Sequence, residues 1–143
     1  MQNLLRELLA KQHEGLWWDF KQKFHDDLLD MLYDIICLAN VIHDGERYII
    51  FGVSDQYEIA GLDPNNKNYT QADIINYLRQ QPFAENNIPQ IKLDTFVYKE
   101  KNLAILTVSN ERLKPYYLTK EIKSKQKLIR AGSVYSRLSL IHI

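Results

Sequence analysis

Cysteine is almost absent from this chain. Its single example, Cys37, lies inside an apolar stretch and has no second thiol with which to form a disulfide or share a zinc ion. We therefore expect a reduced, cytoplasmic setting.

Long apolar runs and phosphate-binding loops are also missing. No run approaches the roughly 20 residues that span a bilayer, so we expect no membrane partner. No basic stretch is followed by an apolar one in the manner of a signal peptide. The five glycines are scattered and form no G-x-x-x-x-G-K-[ST] motif, so the sequence does not support an ATP site.

The 143 residues fit one domain, residues 1–143, with 45% hydrophobic and 25% charged residues. The net charge of zero hides a split, because residues 1–111 carry a net −7 and residues 112–143 a net +7. Such a split indicates a face that binds polyanions. Alternatively, the basic part is a solvated loop that pairs with the acidic part.

Hydrophobic periodicity predicts an α+β fold with a mixed, largely antiparallel sheet of about five or six strands packed with three helices. The helices are expected over residues 2–12, 26–42 and from Thr70, which starts a capping box with Asp73, to before Pro82. The strands are expected over residues 16–21, 47–53, 91–98 and 103–108, with a further hairpin that pairs residues 127–130 with 134–137.

Acidic residues form a narrow stripe on the second predicted helix. Asp27, Asp30 and Asp34 are spaced i, i+3, i+7, and the remainder from Leu28 to Ile42 is apolar apart from Asn40. We interpret the stripe as the solvated edge of a buried helix, with metal binding as the alternative.

Four polar residues lie at the ends or edges of the predicted strands: Glu14, Asp19, Lys21 and Asp55. If the two strands pair, three carboxylates converge, as a Mg²⁺ or Mn²⁺ phosphodiesterase requires, with Lys21 near the phosphate. The structural alternative is that Glu14 begins a strand, Asp55 makes a turn and Asp19 pairs with a lysine.

The basic final third supplies a second set of candidates. The cations that are expected to meet phosphates are Lys120, Lys123, Lys125, Lys127, Arg130 and Arg137. The tyrosines that are expected to stack on unpaired bases are Tyr116, Tyr117 and Tyr135. Packing within the sheet is the alternative for these tyrosines.

The order of several short motifs resembles the AlbA-like DNA-binding domain of the Schlafen family, also known as the divergent AAA-associated N-terminal domain. The matching motifs are Glu14, Asp19-Phe20-Lys21, Ala39-Asn40, Gly45, the strand ending Gly52-Val53-Ser54-Asp55, Ile59-Ala60-Gly61-Leu62, Pro115-Tyr116-Tyr117 and Tyr135-Ser136-Arg137. The chain departs from the family pattern at Asp19, where glutamate is usual, and after Ala39-Asn40, where a threonine and paired glycines are usual.

The resemblance implies a nucleic-acid-binding domain (DNA or RNA) of a bacterial-type regulator that needs no cofactor to bind. It also implies that the chain is the N-terminal part of a longer protein. Animal Schlafen domains of this kind are RNA-cleaving nucleases, and their three essential carboxylates correspond to Glu14, Asp19 and Asp55. Two alternatives remain. One is the Mg²⁺- or Mn²⁺-dependent nuclease, and the other, based on the charge split, is a homodimeric interaction module in which the acidic and basic halves bind each other's partners.

Overall fold

The structure, a computed structural model, describes residues 1–137. It contains three α-helices and six strands, and thus confirms the predicted α+β class. In chain order the elements are α1 (Gln2–Ala10), β1 (Trp18–Lys21), α2 (Leu28–Ala39), β2 (Arg47–Phe51), α3 (Gln71–Arg79), a short 3₁₀ helix (Ala84–Asn86), β3 (Ile91–Tyr98), β4 (Lys101–Val108), β5 (Ile122–Lys123) and β6 (Leu128–Ile129).

Four of the strands form the main sheet in the order β1-β2-β4-β3. β1 and β2 are parallel, with Trp18 opposite Tyr48 and Lys21 opposite Phe51, and the other neighbours are antiparallel. Two parallel strands need a crossover connection, which α2 supplies. Because their carboxyl ends meet at one edge, Gly52 and Val53 both donate backbone hydrogen bonds to the Lys21 carbonyl.

Helix α2 covers one face of the sheet. It begins after Asp27, whose side chain accepts the Asp30 N–H at 2.8 Å as an N-cap. Leu32 and Leu38 are fully buried, as expected for a helix that is apolar on most sides. The helix ends at Ala39, three residues before the predicted limit.

Helix α1 covers the opposite face. Leu5 and Leu8 are fully buried in a cluster that includes Phe20, Ile50 and Ile105. The leucine stripe therefore packs inside the fold. It does not provide the exposed apolar patch that would favour the homodimer alternative.

The predicted elements of the middle third are confirmed. Thr70 and Asp73 form the reciprocal capping box at the start of α3. β3 and β4 form an antiparallel hairpin whose turn lies at Lys99 and Glu100, both in the left-handed region with φ of 50° and 65°. The sequence of residues 57–60 also favours a short antiparallel return after β2, and the structure places one antiparallel bridge there, between Val53 and Ile59.

The final third differs from prediction. The six strands do not form one sheet, because β5 and β6 pair only with each other. The predicted pairing of residues 127–130 with 134–137 is wrong, because its backbone groups have other partners. The Arg130 N–H donates to the Tyr135 hydroxyl at 3.0 Å, and the Tyr135 carbonyl accepts from Asn40 at 2.9 Å.

A buried arginine fixes the connection between α2 and β2. Arg47 is 0% exposed, and its guanidinium donates to four backbone carbonyls, those of Leu38, Val41, His43 and Gly45. The carbonyl end of a helix carries partial negative charge, which favours a cation there. Arg47 thus holds the turn that returns the chain to the centre of the sheet.

Asn40, just after α2, plays a similar part for the final third. Its amide donates to the carbonyls of Tyr116 and Tyr135 and accepts the Tyr116 N–H at 2.7 Å.

No helix within residues 1–137 combines the length and apolar character needed to cross a membrane.

Candidate functional site

A cluster of charged side chains lies beside β1, at an edge of the main sheet. We call it the charged cluster, and its members are Glu14, Asp19, Lys21, His25, Asp34 and Arg137. Asp19 is at its centre and is only 5% exposed. Its carboxylate accepts the Phe20 N–H at 2.9 Å and lies 3.6 Å from Lys21 Nζ and 3.5 Å from Arg137 Nη1. Asp19 therefore has the cationic partners that a buried carboxylate requires.

Glu14 approaches Asp19 from the segment before β1, as the sequence predicted for these two carboxylates. Burial raises the pKa of Glu14 to about 7, with further contributions from a hydrogen bond with Asp19 and from the Asp19 charge. The charges of Arg137 and Lys21 oppose this rise. Glu14 consequently changes protonation state near neutral pH.

Lys21 bridges two carboxylates. Its Nζ lies 3.6 Å from an oxygen of Asp19 and 3.6 Å from an oxygen of Asp34. Burial alone would lower the pKa of Lys21, but the charges of Asp34, Asp19 and Glu14 outweigh it and raise the pKa. The ammonium is therefore firmly charged and partly exposed at the surface, where it can meet a phosphate.

Asp34 is a member of the cluster that sequence reasoning missed. We expected it on a solvated helix edge, but its side chain is 23% exposed and its carboxylate lies 2.6 Å from His25 Nε2. Burial opposes ionisation of Asp34, but the hydrogen bond from His25 and the charge of Lys21 lower its pKa. No periodicity marks His25, because it lies in the connection between β1 and α2.

Asp55 lies apart from the other two predicted carboxylates. It is exposed in the turn that follows Val53, and no hydrogen bond or ion pair within residues 1–137 joins it to Glu14 or Asp19. In that part of the chain, no group of three or more His, Cys, Asp or Glu side chains is placed to hold a metal ion. Glu14 and Asp19 thus interact, and Asp55 is not grouped with them as a metal-binding set within residues 1–137.

Residues 120–130, which we call the basic ribbon, contain β5 and β6. Four of its cations are exposed and form no ion pair with any acidic residue of the described chain: Lys120, Lys123, Lys125 and Arg130. The alternative that this segment pairs with the acidic part of the chain therefore finds no support in these contacts. The other two predicted cations are engaged, since Lys127 Nζ lies 4.1 Å from the Tyr33 ring centroid and Arg137 belongs to the charged cluster.

The predicted tyrosines occupy different environments. Tyr116 is 1% exposed and packs in the core, so we exclude it from the stacking surface. Tyr117 and Tyr135 are half-buried. The Tyr135 ring packs edge-on against Tyr33, with 5.2 Å between centroids. Tyr33 was not singled out in the sequence, because it reads there as one more apolar position of α2.

Comparison with known proteins places the chain in a family. No curated protein matches the chain at a significant level. The family model described as Schlafen, AlbA_2 matches residues 14–139, from Glu14 of the charged cluster to beyond Arg137. The resemblance seen in the sequence is confirmed, and the chain belongs to the Schlafen AlbA_2 family.

Proposed function

We propose that this chain is a nucleic-acid-binding domain that holds phosphates through the basic ribbon. The observation that carries the proposal is that four exposed cations of the ribbon form no ion pair with any acidic residue of residues 1–137. Like charges that are brought together repel one another, and a polyanion relieves this repulsion and releases its own counterions. Family membership supports the proposal, since the family is associated with nucleic acids.

The direct test measures affinity against salt. Fluorescence anisotropy with labelled duplex DNA, single-stranded DNA and a folded RNA would show which ligand binds. If all four cations contact phosphates, the slope of log K against log salt is about −3.6 on duplex and about −2.8 on a single strand. Duplex DNA is the ligand of a DNA-binding regulator, so tight duplex binding would favour that role.

A matched pair of variants separates the ribbon from general charge. The ribbon variant is Lys120→Gln, Lys123→Gln, Lys125→Gln and Arg130→Gln. The control removes the same charge from four exposed lysines elsewhere, through Lys67→Gln, Lys92→Gln, Lys99→Gln and Lys101→Gln. We expect the ribbon variant to lose most of the affinity and nearly all of the salt slope, and the control to keep both. Equal losses in the two variants, or no binding by the unmodified protein at low salt, would contradict the proposal.

A second candidate function is nucleic-acid cleavage that depends on Mg²⁺ or Mn²⁺. The proximity of Glu14 and Asp19, with Lys21 beside them, favours it. Mg²⁺ is commonly held by one or two carboxylates together with waters and substrate phosphates, so two carboxylates suffice as donors. Such an ion would stabilise the charge that develops on the phosphate. In this arrangement Lys21 would orient the phosphate, and Glu14 would exchange a proton near neutral pH.

Glu14→Gln tests cleavage with little change in shape. Labelled RNA and DNA would be incubated with Mn²⁺ or with chelator, beside the Asp55→Asn variant. Metal-dependent cutting that Glu14→Gln abolishes would support the second candidate, and equal loss in Asp55→Asn would add Asp55 to the site. Cutting that survives Glu14→Gln, or no cutting by the unmodified protein, would contradict it.

A further inference from the structure

We propose that Tyr33 and Tyr135 form a base-stacking platform, and that the ligand of the basic ribbon is therefore single-stranded nucleic acid. The inference rests on the proposed function and adds the class of ligand and a residue, Tyr33, that the sequence did not mark.

The platform consists of two half-buried rings that pack edge-on, with their centroids 5.2 Å apart and their planes at 64°. Tyr135 is held by its main chain and its hydroxyl, since its carbonyl accepts from Asn40 and its hydroxyl accepts the Arg130 N–H. Tyr33 is fixed by its position on α2. Rings that are already ordered lose little conformational entropy when they bind a base.

The platform lies between the basic ribbon and the charged cluster. On one side, Lys127 of the ribbon places its Nζ 4.1 Å from the Tyr33 ring centroid. On the other, Asp34 follows Tyr33 on α2, and Arg137 lies two residues beyond Tyr135 and contacts Asp19. A strand that leaves the ribbon thus meets the platform before Lys21 and Arg137.

The ammonium of Lys127 lies over the ring of Tyr33, at a position that a base could take. An ammonium over an aromatic ring gains about 0.5–2 kcal/mol, which a flexible side chain gives up readily when a better partner arrives. A base would take the place of the ammonium on the ring, and the ammonium would move to the neighbouring phosphate. Bases within a duplex are stacked on one another and offer no free face, so the arrangement suits unpaired bases.

The test compares three variants on two ligands. Tyr33→Leu removes the ring, Tyr33→Phe keeps it, and Tyr98→Leu is the matched control. Tyr98 is also a half-buried tyrosine with cations near its ring, Arg6 and Lys99, but it belongs to the cluster on the other face of the sheet. Loss of one stacked base would weaken the binding of a single-stranded oligonucleotide by about 5- to 150-fold in Tyr33→Leu. We expect no loss in Tyr33→Phe or Tyr98→Leu, and an unchanged, weaker affinity for duplex in all three.

The outcomes separate the two proposals. If the protein binds nucleic acid but Tyr33→Leu binds single strands as tightly as the unmodified protein, the platform is overturned and the ribbon stands. If the unmodified protein prefers duplex, the class of ligand is overturned. If it binds neither ligand, both proposals fail. A single-stranded oligonucleotide that contains 2-aminopurine, added to the unmodified protein, reports base stacking without relying on a variant that could misfold. Its fluorescence must change if a base stacks, and no change on binding would overturn the platform.

Discussion

Lys21 and Lys125 carry the same charge in opposite circumstances. Lys21 lies 3.6 Å from the carboxylates of both Asp19 and Asp34, and Asp19 also lies 3.5 Å from Arg137. Lys125 is exposed on the basic ribbon and contacts no acidic residue in the described chain. Lys21, Arg137, Asp19 and Asp34 are therefore paired within the fold, whereas four ribbon cations form no ion pair with an acidic residue of residues 1–137 and would be balanced by the proposed polyanion. The formal net charge of zero conceals this difference.

The largest effect on the free energy of unfolding should come from removing the central carboxylate of the charged cluster. Asp19→Ala removes the central carboxylate and leaves Lys21 and the 21%-exposed Arg137 without it. Removal of one partner of a buried pair costs about 3–5 kcal/mol, and partial exposure of the two cations reduces this to about 2–4 kcal/mol. Urea unfolding would measure the loss. The exposed Asp55→Ala serves as control, and a cost for Asp19→Ala no larger than that of the control would contradict the balance that we describe.

A smaller effect should follow from pH, through Glu14. Its pKa is about 7 in the folded state and 4.5 ordinarily, so between these values the folded state holds a proton that the unfolded state has lost. The free energy of unfolding should therefore fall as the pH rises from 4.5 to 7, by about 1 kcal/mol for this partly exposed group. Urea unfolding across this range would show the slope. Glu14→Gln should remove it, and an unchanged slope in that variant would refute the assignment to Glu14.

The smallest effect on stability should come from the ribbon. Lys125→Ala should change the free energy of unfolding by less than about 0.5 kcal/mol, because the side chain is exposed and forms no ion pair with a carboxylate of residues 1–137. It should still reduce the salt slope of single-strand binding by about 0.7. Unfolding and binding would be measured on the same preparation. A marked loss of stability would contradict this prediction, because it would mean that the charge of Lys125 stabilises the folded state as the charges of the cluster do.

Local patterns were enough to predict the framework. The apolar run after Asp27 and the β-branched run before Gly52 predicted α2 and β2, and Thr70 with Asp73 predicted the start of α3. Each of these signals depends on neighbours within a few residues. The approach of Glu14 to Asp19 was also predictable, because the two flank the start of one strand.

Contacts that depend on how α2 lies on the sheet were not predictable. His25 meets Asp34 across a connection, and Tyr33 meets Tyr135 across about 100 residues, so neither pairing leaves a periodic signal. Arg47 reads as the first residue of a strand, and nothing local reveals four carbonyls around its guanidinium. The pairing of β5 with β6 involves two residues on each side, which is too short for alternation to show.

Asn40 gives the ribbon a property of a cyclised peptide. Its single amide binds the main chain at Tyr116 and again at Tyr135, and so ties together the two ends of the segment that carries the ribbon. Closure of a loop of about 20 residues removes conformational freedom before any ligand arrives. The ribbon then presents its cations without first having to be ordered. A change at Asn40, which touches none of the ribbon cations, would therefore weaken binding through entropy while every cation remained in place.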